Sequence, residues 1–126
     1  MTINEFRVAY LDLLESGQAY DVYGYKPAGV LEYLQKADVQ AVSIIRQRAA
    51  RRDMSQQRCH KAMRSKHLWQ LTTDGGARFL YFQDGPRHFV VVGASFKVKE
   101  KKFHIEIDRA DQLRAEYLKL KEDNVR

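Results

Sequence analysis

The chain is short of cysteine and proline and lacks any long apolar run, and each shortage removes a class of protein. Cys59 is the single cysteine, so neither an intrachain disulfide nor a cysteine-built metal cage is open to it. Arg58, His60 and Lys61 beside it can favour a thiolate, but no nucleophile signature accompanies them. No pair among the four histidines has metal-ligand spacing, so no metal and no cofactor is expected. No apolar stretch approaches the roughly 20 residues of a membrane span, and the N-terminus carries no basic-then-apolar signal pattern. A cytoplasmic protein without membrane contact is the expectation. The two prolines, Pro27 and Pro86, fall at the first position of an expected helix and inside an expected turn.

What the chain does have is positive charge in two places. It is 126 residues long, 14.7 kDa, with a formal net charge of +6, enough for one domain over 1–126 with a real core. Residues 46–66 hold eight basic groups and one acidic group, and residues 97–102 hold four lysines and Glu100. Residues 1–45, by contrast, hold three basic and six acidic groups. The two basic blocks flank residues 68–93, the footprint of a polyanion-binding surface. A solvated charged face is the plainer alternative.

The flanked segment reads as a three-strand meander. Residues 68–72 and 77–83 are apolar runs joined by Asp74-Gly75-Gly76, and Asp84-Gly85-Pro86 turns the chain into a third run over 87–93. Alternation puts Phe79 and Tyr81 on one face and Arg78, Leu80 and Phe82 on the other. A guanidinium among apolar strand neighbours is costly unless solvated or met by an anion, which makes Arg78 the most informative residue. A carboxylate or water at the Gly75-Gly76 turn is the bland way to satisfy it.

Helical patterns surround the meander. Thr2 and Glu5 have capping-box spacing, and Ile3, Phe6, Tyr10, Leu13 and Leu14 form an apolar stripe closed by Gly17, which predicts a helix within 1–17. Residues 20–25 suit an edge strand, with tyrosine stacking on bases as the sharper alternative. Pro27 opens a helix to Lys36. Asp38 caps another from Val39 to about Arg52, whose last turns hold Arg46, Arg48, Arg51 and Arg52, more cations than the helix dipole accounts for. Residues 53–67 read as a loop or short helix, 103–121 as a final helix and 124–126 as a frayed end. The expected class is α+β: a small antiparallel sheet, made of the β-meander and an N-terminal edge strand, packed by N-terminal helices and followed by a C-terminal helix.

Three stretches carry a resemblance. They are Ser65-Lys66-His67-Leu68-Trp69-Gln70-Leu71, then Ala77-Arg78-Phe79-Leu80-Tyr81-Phe82, then residues 97–110, ending in Glu106-Ile107-Asp108-Arg109-Ala110. In order they are similar to the "K-x-LWEL", "R-V-L-Y-F" and "F-x-KK-x-x-K-x-P-x-x-E-I-E-R-A" segments of one group. Together with the order strand, helix, helix, meander, helix, the chain resembles the RelE/HigB/ParE toxin superfamily, most closely its phage-derived, HigB-like branch. The resemblance spans about residues 20–120. The first helix is an addition, and Phe103 stands where the branch carries proline.

What the resemblance implies is a toxin of a type II toxin–antitoxin pair in a bacterial host. It implies an mRNA interferase, a metal-independent endoribonuclease that cuts mRNA on the ribosome and inhibits translation. A cognate antitoxin, of the helix-turn-helix, HigA-like kind, would neutralise it. Such cleavage needs the 2′-hydroxyl deprotonated, the pentacoordinate phosphate stabilised and the 5′-oxygen protonated. Arg78 would hold the phosphate with its donor fork. Lys97, Lys99 and Lys102 would add charge or a proton, and His104 would act as general acid or base. Lys61, Arg64, Lys66, His67 and Lys101 would bind the RNA. The plainer alternatives are a surface His67 before a strand and a His104 that only opens the last helix. Two other classes stay open: a ParE-like, non-enzymatic toxin acting on DNA gyrase, and a non-catalytic nucleic-acid-binding module.

Overall fold

Phe89, Val90, Val91 and Val92 follow one another in β6 (His88–Phe96), and all four are buried. Successive strand residues point to opposite sides, so a strand of this kind needs cover on both. In the computed structural model, which describes residues 1–125, β6 lies inside a six-stranded sheet. Its companions are β1 (Leu11–Ser16), β2 (Asp21–Tyr25), β3 (Cys59–Lys61), β4 (Trp69–Thr72) and β5 (Ala77–Gln83), in the spatial order β1-β2-β6-β5-β4-β3. Strands β4, β5 and β6 pair antiparallel, as the turn signals predict.

Helices cover both faces, which makes the protein α+β with four α-helices among the described residues. Phe79, Tyr81, Phe89 and Val91 pack with Val30 of α2 (Val30–Lys36) and with Ala41, Ile44 and Ile45 of α3 (Val39–Ala50). Leu80, Phe82, Val90 and Val92 pack with Phe6 of α1 (Ile3–Tyr10) and with Phe103, Ile107 and Tyr117 of α4 (Glu100–Asn124). The division of β5 read from alternation therefore holds. Full burial of a side chain such as Ile107 contributes about 1.5–3 kcal/mol. Two polar ties fasten the far part of α4: Tyr117 donates to Asp84 at 2.5 Å, and Lys121 pairs with the same carboxylate at 2.9 Å.

Several local expectations give way to tertiary pairing. The capping box forms, with Thr2 N–H donating to Glu5 Oε1 at 3.0 Å and Glu5 N–H to Thr2 Oγ1 at 3.1 Å. The helix nevertheless ends at Tyr10, and residues 11–16, expected within it, become β1, antiparallel to β2 with an irregularity between Leu13 and Glu15. An isolated helix this short is marginal, and Leu11-Asp12-Leu13-Leu14 suits either period, so strand pairing decides. Gly17 does not end a helix. A Cβ there would sit 2.4 Å from the Ala49 carbonyl, and the Ala19 and Tyr20 amides donate to that carbonyl at 3.0 and 2.8 Å. Close approach to α3 is what requires glycine.

The expected N-terminal edge strand is interior: β2 lies between β1 and β6 and runs parallel to β6, so the sheet is mixed and not antiparallel. Pro27 lies in a 3-10 turn over Lys26–Ala28, and Gly29, at φ +68°, separates that turn from α2. Asp38 caps α3 as expected, accepting from Ala41 N–H at 3.0 Å. Residues 53–67, expected as a loop or short helix, contain the short strand β3. The final helix starts three residues early, at Glu100, because the Phe103 amide donates to the Lys99 carbonyl at 3.0 Å, a bond proline lacks the hydrogen to make. Asn124 is helical and bonds to the Leu120 carbonyl at 2.7 Å, while Arg126 of the expected frayed end lies outside the described residues.

His88 links α1 to β2. Its Nδ1 lies 3.4 Å from Arg7 Nη2 and its Nε2 lies 3.7 Å from Asp21. Burial and the Arg7 cation lower its pKa from the ordinary imidazole range, although Asp21 pulls the other way. The folded state thus binds this proton less readily than the unfolded chain, so the associated stability is present above the unfolded pKa and is lost as pH falls. The urea midpoint of the wild type should drop between about pH 7 and pH 5 by more than that of His88→Gln; equal drops would rule His88 out as the source.

Candidate functional site

Arg78 is the second residue of β5, paired to Thr72 on one side and Ser95 on the other, on the face that α4 covers. Its guanidinium carbon lies 4.3 Å from the Phe103 ring centroid. Among the described residues it donates no side-chain hydrogen bond and has no carboxylate within 4.0 Å. It lines a cavity of about 130 Å³ with Ser95, Glu106, Arg109 and Leu113. Glu106 Oε2 is buried there and finds no protein hydrogen-bond partner. Such an atom costs about 1–3 kcal/mol. Arg78 and Glu106 thus line one cavity, where a guanidinium fork can hold an anion and a carboxylate can accept a proton.

The lysines gather next to this cleft. Gly76, at φ +95° in the turn before β5, presses on Lys97, since a Cβ on it would meet the Lys97 Cβ at 3.0 Å. Lys99 is the N-cap of α4 and supplies no capping hydrogen bond, and Lys101 and Lys102 are exposed in the first turn with only Glu100 as an acidic neighbour there. A helix N-terminus carries roughly half a positive charge and unpaired amide donors. Cations crowded at that end repel it and one another, whereas a phosphate would satisfy all of them.

The remaining expected residues divide. His104 does not line the cleft; its Nε2 lies 3.7 Å from Glu100 one turn back. Lys61 is exposed on β3, its ammonium 5.8 Å from the Trp69 ring centroid. Arg64, at φ +71°, pairs with Asp108 of α4 at 3.1 Å, an exposed pair worth about 0–1 kcal/mol and easily exchanged. Ser65 donates to Asp111 at 2.8 Å, which ties the 62–68 loop to α4 and leaves Lys66 and His67 exposed. Glu106 and Arg109 read from sequence as ordinary surface charges of the last helix, and the structure places both in the cleft with Arg78. The signal for Glu106 was present: it falls three residues after Phe103, on the stripe that includes Ile107 and Ala110.

The fold and this site define an α+β protein whose mixed sheet gathers uncompensated positive charge at one end. No protein-family model matches the chain, and no curated protein or solved structure matches it.

Arg78→Ala should leave the fold intact, because only the Phe103 contact, about 0.5–2 kcal/mol, is lost; a larger fall in the urea midpoint would make Arg78 structural. Inorganic phosphate should raise the unfolding temperature of the wild type. Joint replacement of Lys99, Lys101 and Lys102 by glutamine should raise it without phosphate and remove the phosphate increment, and an increment that survives would place the anion elsewhere.

Proposed function

We propose that this chain is a toxin of the RelE/HigB kind, an mRNA interferase that cleaves mRNA on the ribosome without a metal. The observation that carries this is Arg78: a guanidinium on the central meander without an anionic partner among the described residues, beside the lysine-rich first turn of α4. The element order β2, α2, α3, β4-β5-β6, α4 supports it as well, being the order on which the resemblance rests. In this scheme Arg78 grips the scissile phosphate, Lys97, Lys99 and Lys102 stabilise its developing charge, and one of these ammonium groups gives the departing 5′-oxygen its proton. Glu106, inside the cleft, is better placed than His104 to take the 2′-hydroxyl proton. Lys61, Lys66, His67 and Lys101 follow the RNA backbone, with Arg64 available once it leaves Asp108. The protein acts in the cytoplasm of a bacterial host, and a helix-turn-helix, HigA-like antitoxin silences it by covering the lysines.

The direct test is induction in cells with message mapping. Arg78→Ala should lower cleavage about 10²–10³-fold, the loss of one transition-state anion donor, at unchanged abundance. Growth arrest and cleavage that persist in this variant would refute the mechanism.

One observation favours a second function: no histidine or lysine lines the cleft around Arg78, as suits a ParE-like toxin that binds DNA gyrase without chemistry. In that case DNA replication, and not translation, stops first after induction. A non-catalytic nucleic-acid-binding module would show steeply salt-dependent binding and no cleavage.

A further inference from the structure

Arg48 is a second unpaired guanidinium, on the sheet face opposite Arg78. It is 6% exposed, and no carboxylate lies within 4.0 Å of it among the described residues. Its Nη2 donates to the carbonyls of Arg51 and Arg52 at 2.7 and 2.9 Å, closing the C-terminus of α3. That role occupies one nitrogen. Nη1 reaches Cys59 Sγ and Tyr81 Oη only at 3.4 Å each, and the buried Nε has no partner. Burial and Cys59 raise the Tyr81 pKa, so its phenol stays a neutral hydroxyl. The charge therefore sits to one side of the packed Tyr20 and Phe89 rings, at 5.3 and 5.1 Å from their centroids, without an anion to answer it among the described residues.

Arg48 belongs to the wall of a cavity of about 320 Å³. Cys59, Tyr81 and Phe89 are its other buried residues, and Arg52, Asp53, Gln56, Trp69 and Gln83 are its exposed ones. Trp69, the single tryptophan, is 39% exposed, and Lys61 stands over it. Aromatic platforms beside cations are what a stacked base and its phosphate require. The amides of Gln56 and Gln83 and the carboxylate of Asp53 supply both donors and acceptors for a base edge. The volume is at the small end of the range for small-molecule sites, about 300–1,000 Å³, which suits one nucleotide and not a duplex.

We propose that this cavity binds one nucleotide unit, with its base stacked on Trp69 and its phosphate held by Arg52 and Arg48. This rests on the toxin function only for the source of the nucleotide, an RNA strand in preference to a free mononucleotide. A strand reaching both faces would pass the β3 edge, where Lys61, Lys66 and His67 are exposed.

Trp69 fluorescence reads the site directly. Titration of the full chain with a single-stranded oligoribonucleotide should quench it saturably, and adenosine 5′-monophosphate should do so if free nucleotide is the occupant; either result supports the site, and the comparison identifies the source. Arg52→Glu, at an exposed position, should weaken binding roughly tenfold or more, and Trp69→Ala should weaken binding of a labelled oligoribonucleotide by roughly 5- to 100-fold. Arg78→Ala should lower cleavage about 10²–10³-fold and keep the quenching. Quenching in a wild type that cleaves no RNA would sink the nuclease function and spare this pocket. Absence of quenching by either probe, or quenching by an acidic peptide alone, would overturn the pocket assignment whatever Arg78 does.

Discussion

The parallel pairing of β2 with β6 is the constraint from which the rest of the architecture follows. It places β6, with four consecutive buried apolar residues, at the interior of the sheet and leaves it no face that tolerates water. One face must be closed by α2 and α3, which lie between β2 and the meander in sequence. The other must be closed by α1 and α4, from opposite ends of the chain. Both positions of interest are consequences. Closing one face lays Phe103 of α4 against Arg78, and closing the other brings the end of α3, with Arg48, over Tyr81 and Phe89.

The two arginines show different ways of holding a cation near a core. Arg48 is enclosed, and two backbone carbonyls and two aromatic rings offset part of the cost of burying it. Arg78 is half-buried at the mouth of a cleft and relies on one aromatic face. Among the described residues neither has the carboxylate that ordinarily accompanies a charge removed from water. The lysines at the start of α4 repeat the theme, since the positive end of a helix is the least favourable place for them. Arg78 and the lysines of α4 hold positive charge where folding alone does not select it, whereas Arg48 also closes the C-terminus of α3.

Features set by neighbours in the chain were legible in advance. Thr2 with Glu5 forms the capping box, Asp38 caps α3, the Gly75-Gly76 and Gly85 turns make the meander, and β5 divides its side chains between faces as alternation requires. Features set by distant partners were not. Residues 11–16 satisfy helical and strand periods alike, and only the presence of β2 alongside settles the matter. Gly17 carries the signature of a helix end, but its reason is the Ala49 carbonyl. Glu106 reads as one more charge on a mixed helix until the sheet beneath α4 makes one of its oxygens a buried one.

What the amino-acid order determined by itself is the α+β class, the meander, the caps and the separation of positive charge into two blocks, because each depends on contacts or periodicities within a few residues. The tertiary structure decided which strands are edges, that the sheet is mixed, where α4 begins, and which cations face an anion-sized space. Those outcomes depend on pairing and burial between segments far apart in the chain. A period of two or of 3.6 says which side chains share a face; it carries no information about what lies on the other side of that face.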